Sequence, residues 1–150
     1  MPGGRPPIFT QDLADIICER IAEGQSLRSI LRDEDMPAMG TVLRWLVVSE
    51  EFLLQYTKAR EVQAETLADE MQDIADDGSN DWMARQGKDG ENVGWVLNGE
   101  HVQRSRLRIE TRKWIASKLK PKKYGDKLGL TDGDGGPLQI VIQRFGEDKG

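Results

Sequence analysis

The first fifty residues place apolar side chains at the three- and four-residue spacing of amphipathic helices. Thr10 is a suitable N-cap for a first helix that ends at Gly24, and Ser26 is a suitable N-cap for a short second helix. Pro37 suits the first turn of a third helix over about residues 38–48, because the first N–H groups of a helix have no internal partner. Two short helices joined by a tight turn predict a helix-turn-helix.

Two longer helices are predicted in the middle of the chain. The first covers about residues 49–77, and its later apolar residues recur at three- and four-residue steps as a narrow stripe. The second covers about residues 102–120, and the Gly- and Asp-rich segment 78–100 between them is an inserted hairpin or loop. A narrow stripe favours a partner helix, so the two should pack as an antiparallel helical hairpin. The stripe includes Leu67, Met71 and Ile74.

The end of the chain changes character, because a Gly-rich stretch precedes a segment with many β-branched residues. Leu138 to Phe145 is predicted as a strand, and no other segment is a convincing one. A lone strand leaves backbone groups unpaired, so it should pair with the same strand of other copies, which gives an intersubunit β-barrel that includes Ile140 and Ile142. The alternative is a flexible tail with an apolar patch.

Charge is distributed unevenly along the chain. Residues 61–100 have a net charge of −9 and residues 101–130 a net charge of +8, within a total of −5. Adjacent blocks of opposite charge predict complementary surfaces, either within one chain or between subunits. The basic side chains of the later helix, including Arg108 and Arg112, either pair with Glu65, Glu70 and their neighbours across subunits or line a channel that touches DNA.

Catalytic chemistry is not indicated by the sequence, so the chain is predicted to be a non-enzyme without cofactor or metal. Cys18 is the one cysteine and is predicted to be buried, and His101 is the one histidine, with no nucleophile placed beside it by the sequence. The acids between Asp76 and Asp89 lack the spacing of a calcium loop. The chain has neither a signal peptide nor an apolar run long enough for a bilayer, so an intracellular location is predicted.

A DNA-binding surface is predicted on the helix-turn-helix. Arg44 and Thr41 should project from the third helix toward base edges and phosphates, with Arg28 and Arg32 on the preceding helix and Arg5 in an N-terminal arm. The other exposed positions of the third helix are apolar or small, so base reading by one copy should be weak. The alternative is a three-helix bundle that only looks like a DNA reader. The predicted inward-facing residues of the third helix are Val42, Trp45 and Leu46.

Three stretches of the chain resemble the small terminase subunits of tailed bacteriophages. They are "GRPPIFTQDLADIICERIAEGQSLRSILRDEDMP" with "TVLRWL", then "IADDGSNDW", then "QRSRLRIETRKWIASKLKPKKYGDK". The last, ending in Pro121-Lys122-Lys123-Tyr124-Gly125, is the most specific.

This resemblance implies a genome-packaging initiator that binds double-stranded viral DNA in the host cell cytoplasm. It implies a homo-oligomeric ring, an octamer or nonamer, that delivers DNA to the large terminase subunit, which carries the ATPase and the nuclease. Such a ring is held together by its central helices, to which Arg108, Arg112 and Trp114 belong here, and Phe145 is expected to contact the large subunit.

The predicted fold class is therefore mainly α, with a short C-terminal strand. The predicted divisions are a helix-turn-helix domain over residues 1–60, an oligomerisation region over 61–128, and a strand and tail over 129–150. Two other functions stay open from the sequence: a dimeric transcriptional regulator on a palindromic operator, and a scaffold that uses the helix-turn-helix for protein contacts alone.

Overall fold

A computed structural model describes residues 8–127, together with Asp134 and Gly136. The predicted C-terminal strand lies outside the described residues, and so do Arg5, Ile140, Ile142 and Phe145. The elements within the described part are α1 (Gln11–Ala22), α2 (Leu27–Ile30), α3 (Met39–Val48), α4 (Glu50–Asp76), β1 (Trp82–Gln86), β2 (Asn92–Leu97), α5 (Gly99–Leu119) and α6 (Pro121–Tyr124).

Hydroxyl side chains cap three of the helices, and two of these caps, Thr10 and Ser26, are predicted from the sequence. The Thr10 side chain accepts a hydrogen bond from the Leu13 N–H at 3.2 Å. Ser26 does the same for the N–H of Ser29, and Ser49 for that of Phe52. Each of these caps satisfies a backbone N–H that has no partner inside its helix.

The start of α3 differs from the sequence prediction. Ala38 is the N-cap residue, with an extended backbone, and the helix begins at Met39. Pro37 therefore precedes the helix instead of occupying its first turn. Its ring is fully buried, so its place is decided by packing between the helices and not by its preference for the first turn.

Helices α1 to α3 and the first half of α4 enclose the main hydrophobic core. Its buried residues are mostly aliphatic, with two aromatic side chains, Trp45 and Phe52. Trp45 and Phe52 lie edge-to-face with ring centroids 6.3 Å apart, and Phe9 packs on both rings. Such aromatic pairs add about 0.5–1.5 kcal/mol beyond the area that they bury. The fully buried aliphatic residues of the centre include Ile17, Ile21, Ile30 and Val42.

The second half of α4 packs antiparallel against α5, which confirms the predicted helical hairpin. Leu67 of α4 and Ala116 of α5 are buried between the two helices. Because α4 is one uninterrupted helix of 27 residues, it belongs both to the N-terminal bundle and to the helical hairpin. The predicted division at residue 60 therefore falls inside a helix.

A β-hairpin connects α4 to α5, so of the two alternatives for residues 78–100 the structure has the hairpin. The expectation of no convincing strand outside the C-terminal segment is wrong. Strands β1 and β2 pair antiparallel, with Trp82 opposite Leu97 and Ala84 opposite Trp95. The turn includes Gly90 in a positive-φ conformation, which favours glycine. The strands are only five and six residues long, and both sides carry exposed apolar residues, so the two-residue alternation of a half-buried strand is absent.

The observed fold is mainly helical with one small sheet. None of the helices in the described part of the chain has the length and hydropathy that a membrane span requires.

Candidate nucleic-acid interface

Helix α3 packs on the core through its inward face, as the sequence predicts. Val42 and Trp45 are buried, and Leu46 is half-buried against the same core. The packing of these residues leaves Arg44 exposed and Thr41 half-exposed on the outer side of the helix. The residues predicted to face DNA are thus fixed by a rigid core and not by a mobile loop.

Thr41 and Arg44 line one open groove of about 420 Å³. The floor of the groove is apolar, because Phe9 and Trp45 also line it. A guanidinium and a hydroxyl over an apolar floor suit contacts to phosphate oxygens and to a base edge.

The first turn of α3 leaves the helix N-terminus open at the same groove. Ala38 makes no side-chain hydrogen bond to the helix, and a Cβ added at Gly40 would meet nothing within 4 Å. The first N–H groups of any helix lack internal partners and carry partial positive charge. A phosphate could therefore approach the backbone closely at this end of α3.

Arg28 and Arg32 lie elsewhere on the helix-turn-helix. Both are exposed, and neither forms an ion pair within the part of the chain that the structure describes. They do not line the groove of Thr41 and Arg44. The structure thus unites two of the predicted DNA-binding residues and places two others outside the groove.

The outer face of α3 is more apolar than a typical DNA-reading surface. Leu43 is 50% exposed and Val47 is 85% exposed. Arg44 is the one charged side chain of α3. Base readout therefore depends on few polar groups, which agrees with the weak single-copy reading predicted from the sequence.

Two contributors to this region were missed by the sequence analysis. Arg20 of α1 donates to the Asp33 carboxylate at 2.6 Å and also bonds Gln25, so it ties the end of α1 to the turn before α3. Phe9 packs on Trp45 at 5.2 Å between ring centroids. The signal for Phe9 was its place just before the N-cap Thr10, where an apolar residue often packs back on the bundle.

The acidic and basic blocks meet within one chain. Arg112 donates from Nε to the Glu70 carboxylate at 2.6 Å, and Lys120 donates to the Glu65 carboxylate at 2.5 Å. The sequence analysis favoured pairing across subunits for these groups. The antiparallel packing of α4 on α5 instead brings each acid opposite a cation of its own chain.

Glu65 is the centre of the strongest of these clusters. Its carboxylate accepts hydrogen bonds from Lys120, Lys123 and the Tyr124 hydroxyl. These bonds stabilise the charged form and lower the pKa of Glu65 to about 2. The carboxylate in turn raises the pKa of Lys123. This cluster attaches α6 and the end of α5 to the middle of α4.

The residues predicted for oligomerisation fall into two groups. Leu67, Met71 and Ile74 are buried or half-buried on the side of α4 that includes the contact with α5. Arg108 is exposed, and Trp114 is 64% exposed on the outer side of α5. Leu67, Met71 and Ile74 therefore contribute to packing within the chain. Arg108 lines the groove between α4 and α5 beside Asp73, whereas Trp114 is left exposed.

His101 has a hydroxyl and a carboxylate near one of its ring nitrogens. Ser105 Oγ lies 3.5 Å from His101 Nε2, and an Asp81 carboxylate oxygen lies 3.9 Å from the same nitrogen. In a catalytic triad the serine and the acid contact opposite ring nitrogens, so this cluster lacks that arrangement. Within residues 8–127 no group of acidic, His and Cys side chains is placed to hold a metal ion.

Together these features define a helix-turn-helix protein whose bundle is joined by a shared helix to a helical hairpin. Residues 9–131 match the family model "Bacteriophage Sf6, terminase small subunit-like". The chain belongs to this terminase small subunit family.

Solved structures of a family member resemble the chain. Two are crystal structures of point variants of the terminase small subunit gp1 of the bacterial virus Sf6, each with 33% identity and a TM-score of 0.66 over 97% of this chain and 100% of the other. A third point variant has 32% identity with the same coverage and TM-score. No curated protein sequence matches the chain.

Proposed function

We propose that this protein initiates packaging of a bacteriophage genome as the DNA-recognition subunit of a terminase. The observation that carries the proposal is the family match over residues 9–131, which includes the whole helix-turn-helix and both long helices. The groove of Thr41 and Arg44 supplies the chemistry that DNA binding requires, and in this role the protein is a non-enzymatic subunit that acts in the host cell cytoplasm.

Binding to double-stranded DNA is assigned to α3 and its surroundings. Arg44 contacts a base edge or a phosphate, Thr41 contacts the backbone, and Arg28, Arg32 and Arg5 add phosphate contacts. The side chain of Arg44 and the open helix N-terminus support this assignment, because both favour anionic oxygen. The exposed apolar positions beside them indicate limited base reading, so affinity comes mainly from phosphates.

Several copies are needed to make such weak contacts effective. A homo-oligomeric ring of eight or nine copies raises the effective concentration of each α3 near the DNA. The helical hairpin of α4 and α5 is the proposed framework of this ring, with an intersubunit barrel formed through Ile140 and Ile142. The ring delivers DNA to the large terminase subunit and regulates it, through a contact near Phe145.

The proposed function is tested by measuring DNA binding and native mass on the same preparation. Binding to long duplex DNA should weaken linearly with the logarithm of salt concentration, and sedimentation should give an assembly well above a dimer. A dimer with a compact symmetric footprint would instead establish a transcriptional regulator. The absence of DNA binding even at low salt would leave only the scaffold function.

A further inference from the structure

The outward side of α3 carries two large apolar side chains next to its one charge. Val47 follows Leu43 by four residues and Arg44 by three, and these two spacings place side chains next to each other on a helix. Leu43 is 50% exposed, Val47 is 85% exposed, and Arg44 is exposed as well. We call these three residues the outer ridge, which lies opposite the buried side of the helix.

The outer ridge accepts an anionic partner along its whole length. Helix α3 contains no acidic side chain, and the nearest acids in the sequence, Asp35 and Glu50, precede and follow it. Gly40 adds no side chain at the N-terminal end of the ridge, where an added Cβ would meet nothing within 4 Å. The surface of a DNA duplex can therefore approach the helix closely at that end.

A pose of α3 in which Arg44 reaches a base edge also brings the apolar residues of the outer ridge to the neighbouring base pairs. Leu43 and Val47 are about 6 Å apart along the helix axis. Base pairs stack about 3.4 Å apart. When the helix lies along the major groove, the two apolar side chains therefore face base pairs about two steps apart.

The chemistry of leucine and valine limits what they can recognise on a base edge. Neither side chain has a hydrogen-bonding group, so a base donor or acceptor pressed against it loses water and gains no partner, which is unfavourable. The C5-methyl group of thymine is the one apolar group that the bases present in the major groove. The outer ridge should therefore gain affinity where thymine methyls face it and lose affinity where the amino groups of cytosine do.

We propose that the outer ridge selects DNA by the methyl groups of thymines about two base steps apart, with Leu43 and Val47 as the contacting side chains. This inference rests on the proposed function, because it names the feature of duplex DNA that the helix-turn-helix reads. Arg44 holds the ridge in the groove through a phosphate or a base edge. Selection by methyl contact is modest for one copy and multiplies when several copies bind together.

Duplexes that differ only in the C5-methyl group test the proposal. An alternating A·T duplex presents a thymine at every second position of each strand, so it offers the required spacing in every register. The A·U duplex, with deoxyuridine in place of thymidine, keeps every phosphate and every hydrogen-bonding group. Burial of one methyl group corresponds to about a fourfold change in affinity, and two give about fourteenfold. The full-length protein should therefore prefer the A·T duplex by at least about fourfold at a fixed salt concentration.

The reverse change separates the methyl group from the shape of A·T-rich DNA. An alternating G·C duplex with 5-methylcytosine carries a methyl group at the same ring position without any A·T pair. This methylated duplex should bind more tightly than the unmethylated G·C duplex. An effect of groove width or stiffness particular to A·T sequences would be absent from this pair.

Alanine substitutions assign the preference to the outer ridge. The variant with Leu43→Ala and Val47→Ala should bind the A·T and A·U duplexes almost equally, because it no longer contacts the methyl group. Both side chains are exposed and alanine favours a helix, so circular dichroism should be unchanged. Leu54→Ala is the matched control, since Leu54 is 65% exposed on α4 and lies outside the ridge. It should keep the full preference.

Distinct results overturn the inference and the proposed function. Equal affinity of the unmodified protein for the A·T and A·U duplexes contradicts the inference, and so does a preference that survives the double alanine variant. If that variant keeps the preference but changes the native mass without DNA, the ridge is a protein contact instead. The proposed function fails separately if the unmodified protein binds none of the four duplexes even at low salt.

Discussion

The Tyr124 hydroxyl donates a hydrogen bond to the Glu65 carboxylate, which also accepts from Lys120 and Lys123. This contact joins residues 59 positions apart and attaches the end of the basic helix to the middle of the acidic one. The sequence shows the charge blocks but does not show which acid receives the cations.

Stability should depend on acid pH through Glu65. Its pKa falls from 4.5 to about 2 because Lys120, Lys123 and Tyr124 bond its charged form. A lowered pKa in the folded state adds stability above the unfolded value, and this contribution disappears as the pH falls from about 4.5 to 2. Urea unfolding should show Glu65→Gln less stable than the unmodified protein at pH 7, with the difference shrinking at pH 3. Asp69→Asn, which removes no ion pair, should show no such trend.

Gln63 should be required for the contact between α4 and the connection from α1 to α2. It is 3% exposed, and its amide donates to the Gln25 carbonyl at 2.9 Å. Gln63→Met keeps the approximate shape but leaves that carbonyl without its donor, which costs about 1–3 kcal/mol in the free energy of unfolding. Gln72→Met, at an exposed position of the same helix, is the control. Equal unfolding midpoints for the two variants would contradict the assignment.

Gly24 and Gly40 should respond oppositely to alanine. Gly24 has φ +101°, and an added Cβ would lie 2.9 Å from a Glu70 carboxylate oxygen, so Gly24→Ala should lower the free energy of unfolding by roughly 1–2 kcal/mol. A Cβ on Gly40 meets nothing within 4 Å, and Gly40 lies in a helix, so Gly40→Ala should raise stability by up to about 1 kcal/mol. Thermal unfolding of both variants checks the signs.

Cys18 should be unreactive in the native protein. Burial, with a smaller contribution from the Asp15 charge, raises the pKa of its thiol from 9.0 to about 11. Because the thiolate is the reactive form, a rise of two units lowers its population about hundredfold at neutral pH. Labelling with a thiol reagent at pH 8 should be slow until denaturant is added. Ser29→Cys in a Cys18→Ala background should label rapidly and serves as the exposed control.

Arg44 should be the most sensitive DNA-binding residue. Arg44→Ala should lower DNA affinity by roughly 1–3 kcal/mol if the guanidinium contacts a guanine. Arg28→Ala should have a smaller effect that changes the salt dependence and not the sequence preference, because it is assigned to phosphate. Fluorescence anisotropy with duplexes of different sequence separates the two effects. Unchanged binding by Arg44→Ala would remove Arg44 from the interface.

The sequence predicted the local features of this fold well. Thr10, Ser26 and Ser49 begin helices because capping depends on a hydroxyl and the next few backbone N–H groups. The inward face of α3 also followed from spacing alone, since Val42 and Trp45 repeat at helical intervals. These signals lie within a few residues of the positions that they determine.

The remaining features depend on contacts that are distant in sequence. The groove beside Arg44 needs Phe9 to pack against Trp45. The place of Phe9 before the N-cap favours packing on the bundle but does not specify Trp45 as its partner. Pairing of Arg112 with Glu70 within the chain instead of between chains depends on how α4 and α5 are aligned. The sequence left residues 78–100 open between a hairpin and a loop, because the strands of the β-hairpin are short and exposed and neither side has a clean apolar pattern.

The continuity of α4 has a consequence for how this protein loses its structure. Thr66 and Gln63 donate hydrogen bonds to carbonyls at and just after the end of α1. Glu65 and Glu70 form ion pairs with Lys120 and Arg112. The N-terminal bundle and the helical hairpin therefore contact the same two turns of α4. Unfolding of these two turns would break the contacts of both the N-terminal bundle and the helical hairpin. The described part of the chain should therefore unfold in a single calorimetric transition, and a destabilising change in either half should weaken the proposed DNA recognition and the proposed self-assembly together.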